Sequence, residues 1–168
     1  MVICEVQEYS DLTYRVYDFG RLDAHGKPRE LHIEKAIAVT NFGKPAVGKV
    51  NPLQFSADGA TRSLLAACRY FATERWECSA KCKIPVDPER FELLVILEGA
   101  GSLAWPDSAA RYHRGECWLL PASLGHIDVS PETATSLIRT YVPDLQLLQT
   151  DLHRDGVSAG ALAQVIFD

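Results

Sequence analysis

The chain has no long apolar run. The longest tight stretch is LLVIL, Leu93 to Leu97, far short of the roughly 20 residues a helix needs to cross a bilayer. A helical membrane span is therefore excluded. The first residues, MVICEVQEYS, lack a basic stretch and carry acids early, which argues against a secretory signal. Positive charge is not in excess: Lys+Arg total 17 against Asp+Glu 22, a net charge of −5, with no dense basic stripe. That balance excludes nucleic acid as a partner, whereas an anionic small molecule needs only a few local cations. The five cysteines are odd in number and follow no framework spacing, so reduced thiols and a cytoplasmic location are expected. There is no glycine-rich phosphate loop, since GAG at 99–101 reads as a hairpin. Internal repeats and low-complexity segments are absent as well.

What remains is 168 residues that are 47% hydrophobic, enough for about one domain with a proper core. At the N-terminus, Val2–Val6 and the β-branched, aromatic stretch Thr13–Phe19 read as a hairpin. DAHGKP, Asp23 to Pro28, is a loop, with Pro28 suited to a helix start. Arg29–Val39 then reads as a short helix with Ile33, Ala36 and Ile37 on one face. A glycine- and proline-containing connector, Asn41 to Pro52, follows.

From there the pattern becomes all-β. Strands are expected at Ser63–Cys68, Tyr70–Cys78, Ala80–Ile84, Phe91–Glu98, Ser102–Trp105, Glu116–Leu120, His126–Val129 and Ala134–Tyr141. Turn residues separate them, and this spacing indicates a sandwich or barrel. The tail is helical: Leu145, Leu148 and Leu152 share a face behind Asp144 as N-cap, Gly156 stops that helix, and Ser158 caps a last one bearing Leu162, Val165 and Ile166. The expected organisation is 1–52 as hairpin, helix and connector, 53–144 as barrel, and 145–168 as helical tail.

GECWLLPASLGH, Gly115 to His126, has a glycine, five residues, a proline, four residues and a histidine. That spacing resembles the second motif of the cupin barrels, where the histidine is usually a metal ligand. The matching first motif supplies an HxH pair, a glutamate and a glycine. Gly99 fits the glycine and Glu92 the glutamate, but the pair would fall on Val86 and Pro88, or on Pro85 and Asp87. Glu92 and His126 are thus the two metal-ligand candidates in the barrel, fewer than the three or four a catalytic metal usually takes. The other reading of His126 is a half-buried turn histidine. Cys78 and Cys82 would share one face if both lay on a strand, as a metal or redox pair or as two plain thiols. His25 and His32 straddle a loop and a helix start, a poor arrangement for joint ligation.

EVQEYSDLTYRVYDFGRLDAHGKPRELHIEKAI, Glu5 to Ile37, closely resembles the middle of bacterial class I mannose-6-phosphate isomerases. RFELLVILEGAGSL, RGECWLLPASLGHIDV and SLIRTYVPD resemble the C-terminal cupin of the same enzymes. The resemblance covers about Val2 to Asp144. It implies an all-β cupin (jelly-roll) barrel and membership of a metal-dependent, usually zinc-dependent, family that interconverts mannose 6-phosphate and fructose 6-phosphate. The reaction moves a proton between C1 and C2 through an enediol, with cations stabilising the oxyanion. Arg15 matches the arginine of the family's TYR motif, in the catalytic cleft, and is the candidate catalytic residue. Lys27, Arg29 and Lys35 fall in the matching GKPRELHIEKA segment as candidate substrate-binding residues, the alternative being solvated surface charge.

In the family the ligands are a glutamine, a glutamate and two histidines, all preceding the segment matched by Val2–Asp18. The resemblance therefore implies the C-terminal half of the enzyme, with no metal of its own and no turnover by the chain alone. The alternatives are a non-catalytic cupin that binds a sugar or sugar phosphate or mediates assembly, and a small metal cupin using Glu92, His126 and a third ligand. The N-terminal hairpin is expected to pack on the chain's own barrel or to pair with a second copy, and a homodimer, or a partner supplying the missing barrel, is the expected assembly.

Overall fold

The computed structural model describes residues 4–7, 12–40, 42–43, 51–57, 59–154 and 156–166. The chain divides into two compact units, Met1–Gly48 and Lys49–Asp168.

In the first unit no strand of the expected hairpin is present among the described residues. Residues 4–7 and 12–18 make no strand, and Val2 and Ile3 lie outside the described residues. TYRVYDF has the composition of a strand, but the His32 N–H to Arg15 carbonyl bond (2.7 Å) makes no ladder. Side-chain preference without a pairing partner is not enough to make a sheet. The DAHGKP loop is closed by a bridge between Leu22 and Pro28 and by the Asp23 N–H donating to the Lys27 carbonyl at 2.7 Å. Helix α1 spans Ile33–Val39 and starts later than expected. Pro28 lies in the bridge, so it does not open the helix. Of the expected apolar face only Ala36 is buried, with Ile33 47% and Ile37 55% exposed. Most of the connector lies outside the described residues.

The second unit is a barrel of two antiparallel sheets. Its strands are β1 (Leu53–Ala57), β2 (Ala60–Ala67), β3 (Ala72–Cys78), β4 (Cys82–Pro85), β5 (Glu92–Glu98), β6 (Ala100–Trp105), β7 (Ser108–His113), β8 (Cys117–Leu120), β9 (His126–Pro131) and β10 (Thr135–Tyr141). One sheet runs β1-β2-β3-β10-β5-β8 and the other β4-β9-β6-β7. Every expected strand is present, and β1 and β7 are additions. Period-two alternation buries Trp76 and Cys78 from β3, Ile84 from β4, Leu94 and Ile96 from β5, Leu103 from β6, Ile127 and Val129 from β9 and Leu137 from β10 in one core between the sheets. Cys78 and Cys82 do not share a strand face as expected. The chain bends at Ser79 and Ala80 and changes sheets, so Cys78 ends β3 and Cys82 begins β4.

The tail belongs to this unit. Helices α2 (Leu145–Arg154) and α3 (Ala159–Leu162) and the turn that follows place Leu152, Leu162 and Val165 against Leu64, Ala67 and Ala72. The Ala67 N–H donates to the Val165 carbonyl at 2.7 Å. Asp144 caps α2, its Oδ1 accepting from the Leu147 N–H at 3.0 Å. Gly156 stops that helix at φ +88°, with its own N–H on the His153 carbonyl and the Val157 N–H on the Leu152 carbonyl, the paired bonds of a Schellman motif. The Ser158 hydroxyl accepts from the Ala161 N–H. Asp144→Ala should cost about 1 kcal/mol of stability, seen as a lower denaturant midpoint; an unchanged midpoint would deny the cap any role.

Candidate functional site

The structure brings two of the four candidate cations together and leaves the other two apart. Arg15 and Arg29 meet at the Asp18 carboxylate. Arg29 Nε donates to Asp18 Oδ2 at 2.7 Å, and its Nη2 contacts Oδ1. Arg15 Nε lies 3.7 Å from Asp18 Oδ1, and Arg15 Nη1 donates to the Glu30 carbonyl at 3.0 Å. The hydrogen bond from Arg29, helped by the charges of Arg29, Arg15 and Arg21 and opposed by burial, holds Asp18 below the usual aspartate range. The Arg15 side chain is 23% exposed, so the guanidinium is oriented and still reachable. The Lys27 backbone N–H closes its loop onto Asp23 Oδ1 at 2.9 Å, while residues Lys27 and Lys35 are exposed. His25 sits in the same loop, and the His32 Nδ1 accepts from the Arg15 N–H at 3.2 Å.

Inside the second unit a charged group fills one end of the barrel. Register sets Arg139 on β10 directly across from Glu74 on β3 and Leu94 on β5. Strand parity then turns Leu137, Arg139 and Tyr141 to one face of β10, and Glu92, Leu94 and Ile96 to one face of β5. Arg139 Nε donates to Glu92 Oε2 at 2.6 Å and its Nη2 to Glu92 Oε1 at 2.7 Å. That Nη2 also donates to the Pro85 carbonyl at 2.8 Å. Glu92 Oε1 takes a third bond from the Asp87 N–H at 3.1 Å. Glu74 accepts from Arg62 at 2.8 Å, from the Trp76 indole at 2.8 Å and from the Tyr141 hydroxyl at 2.6 Å. Arg62 also stacks over Trp76, 4.5 Å from its ring centre. Two buried carboxylates thus face two guanidinium groups, and their charges balance.

This arrangement bears on the two metal-ligand candidates. Glu92 is fully buried and gives both oxygens to Arg139. His126 is half-buried at the start of β9, opposite Pro85 in register. Among the described residues no three or more His, Cys, Asp or Glu side chains gather as a metal site. A family metal therefore does not fit the residues around Glu92: the cation that faces this carboxylate is Arg139.

Sequence reasoning missed Arg62, Glu74, Arg139 and Tyr141. A signal was there, since Glu74 shares parity with Trp76 and Cys78, and Arg139 with Leu137. A charge on the apolar face of a strand marks a buried pair.

Beside this network opens a cleft of about 560 Å³ lined by Arg62, Arg139, Tyr141, Val86, Leu147 and Leu148. Asp87, Glu89, Asp144 and Asp151 also line it, so its carboxylates outnumber its cations.

Burial works to raise the Glu74 pKa, but the Arg62 and Arg139 charges and the bonds from Tyr141 and Arg62 more than offset it, and the carboxyl lies below the usual range. A folded value below the unfolded one gives stabilisation that is fully present above about 4.5, the ordinary glutamate value. It is lost as pH falls through the lowered folded value. Thermal unfolding of Glu74→Gln, followed from neutral pH to about pH 3, should therefore fall less steeply in acid than that of the unsubstituted chain. Equal slopes would remove Glu74 from the acid response.

Residues 61–142 match the family described as mannose-6-phosphate isomerase, cupin domain. A putative mannose-6-phosphate isomerase of Bacillus subtilis is 34% identical over 124 residues, covering 73% of this chain and 38% of that protein. The mannose-6-phosphate isomerase of Streptococcus mutans is 33% identical over 124 residues, covering 74% and 38% respectively. The crystal structure of the Bacillus subtilis mannose 6-phosphate isomerase superposes with a TM-score of 0.66 at 30% identity, over 78% of this chain and 40% of that one. A zinc-bound mannose 6-phosphate isomerase shares the fold at TM-score 0.55 and 18% identity, over 69% of this chain and 29% of that one. The chain spans 38% of the length of the curated relatives named here. Among the described residues no helix is long and apolar enough to cross a membrane. Through this two-sheet barrel the chain belongs to the mannose-6-phosphate isomerase family, as its cupin domain.

Proposed function

We propose that the chain is a non-metal cupin part of a mannose 6-phosphate/fructose 6-phosphate isomerase, without turnover on its own. The observation that carries this reading is the Glu92–Arg139 pair. The barrel's motif carboxylate is saturated by a guanidinium and a backbone N–H, so it is spent on structure. In the complete catalyst, a metal-bearing barrel supplies the polarising ion, and this chain supplies Arg15. Its guanidinium, held by Asp18 and the Glu30 carbonyl, offers positive charge to the enediolate oxygen or to the sugar's phosphate. A second chain bearing the other barrel is the assembly this division of labour requires.

The test is a coupled assay of mannose 6-phosphate conversion on the purified chain with added zinc, run with and without the metal-bearing region of the Bacillus subtilis relative. Turnover is expected only in the mixture, and Arg15→Lys should lower it by about 10²-fold or more. Robust turnover by the chain alone would overturn the proposal, and so would a mixture that stays silent.

The cleft beside Arg139 favours a second reading, binding without catalysis. Its carboxylate-rich wall disfavours a phosphate and suits an uncharged sugar. Calorimetry should then show heat with mannose and none with mannose 6-phosphate. Heat with neither sugar would sink it.

A further inference from the structure

We propose that Cys78 and Cys82 are a peroxide-oxidisable dithiol that closes to a disulfide, tying the two sheets of the barrel together across the β3–β4 turn. The two sulfurs lie 2.9 Å apart with Cys82 Sγ donating to Cys78 Sγ, although the residues belong to different sheets. The turn from Ser79 to Lys81 has already brought them into register, so little backbone movement is needed to join them. Gly59 keeps this corner tight: a Cβ there would stand 3.0 Å from the Lys81 carbonyl and 3.4 Å from Cys82. The other free cysteines lie elsewhere, with Cys4 and Cys117 exposed and Cys68 half-buried.

The pair is asymmetric. The hydrogen bond from Cys82 outweighs burial and holds the Cys78 thiol below the usual cysteine range, which makes Cys78 the nucleophile and Cys82 the resolving thiol. Cys78 is only 1% exposed, but it lines a polar cleft of about 230 Å³ together with Thr61, Arg75, Thr135 and Ser136. That opening suits hydrogen peroxide better than a bulky organic disulfide. Here two nucleophiles face each other beside an opening.

The chemistry closes without a further reactant. The Cys78 thiolate attacks one oxygen of peroxide, the O–O bond breaks, and hydroxide leaves and is protonated to water. Cys78 is now a sulfenic acid. The Cys82 thiolate, its proton gone to solvent, attacks Cys78 Sγ. The S–S bond forms, the S–O bond breaks, and the departing hydroxide takes up a proton. Two thiols and one peroxide give one disulfide and two waters.

The test uses the full chain with Cys4, Cys68 and Cys117 replaced by serine, treated with one equivalent of hydrogen peroxide. Titratable thiols should fall from two to none, and dithiothreitol should restore both. Cleavage after basic residues separates Trp76–Lys81 from Cys82–Lys83, so mass spectrometry should find these two peptides joined within one chain. The same linked pair is sought in the unsubstituted chain, which keeps the test valid if the triple variant folds poorly. Two surviving thiols, a sulfinic acid at Cys78 without cross-link, or a bond between chains would each overturn the proposal.

Discussion

Replacing Arg139 by methionine is expected to lower the unfolding free energy of the barrel by about 3–5 kcal/mol. The side chain is 8% exposed and its partner Glu92 0%, so the variant leaves Glu92 buried with one backbone donor for two oxygens. Glu74, directly opposite in register, loses the second of the two charges that hold its carboxyl ionised. Methionine keeps the stem's volume, so the loss measures charge more than packing. The double variant Arg139→Met/Glu92→Gln should recover a good part of the stability, because a neutral amide tolerates the site far better than a lone carboxylate. A double-mutant cycle by urea unfolding reads this directly. If the single variant unfolds like the original chain, or if Glu92→Gln adds fully to it, the network has no structural weight.

Gly99→Ala should cost about 2–6 kcal/mol, the sum of a strained backbone and overpacking. Gly99 joins β5 to β6 at φ +92°, the left-handed region that a side chain resists. A Cβ there would sit 2.5 Å from the Thr135 hydroxyl and 2.7 Å from the Ala134 carbonyl. The Ala134 carbonyl and the Thr135 Cα, 2.8 Å away, are backbone and cannot rotate away. Gly115→Ala makes the comparison: its φ is +88° but nothing lies within 4 Å of the added atom, so it carries strain alone, about 1–3 kcal/mol. Equal losses at the two positions, measured by thermal or urea unfolding, would show that crowding at Gly99 contributes nothing.

That contrast also shows what a sequence discloses. The glycines, prolines and alternation from Ser63 onward place eight strands correctly, because each local rule agrees with the fold. Strand β1 (LQFSA) follows a loose connector, and β7 (SAARYH) is small or polar at every position but Tyr112, so neither carries a strong pattern. The reverse error is at Thr13–Phe19, where composition favours a strand and the described residues offer no neighbour to pair with. Glu92 was findable because a motif spacing points to it. Parity marks Arg139 as a buried charge but does not say what it pairs with, since Glu92 lies 47 positions away and is reached only after β10 inserts between β3 and β5. Long-range pairing of that kind follows from closure of the barrel, which no local window contains. For Cys78 and Cys82 the shared-strand placement failed for a related reason, since parity assumes one strand and a turn intervened, although the two sulfurs do meet.

The guanidinium of Arg139 has one more implication. The counter-charge to Glu92 is covalently part of the polypeptide. It is made with the chain, in fixed proportion, and no chelator can strip it. A barrel whose interior carboxylate relied on a dissolved ion would gain and lose that support with the ion's concentration. Here the neutralising charge arrives with translation, and the contribution of this pair to folding stays the same whether metal is scarce or abundant.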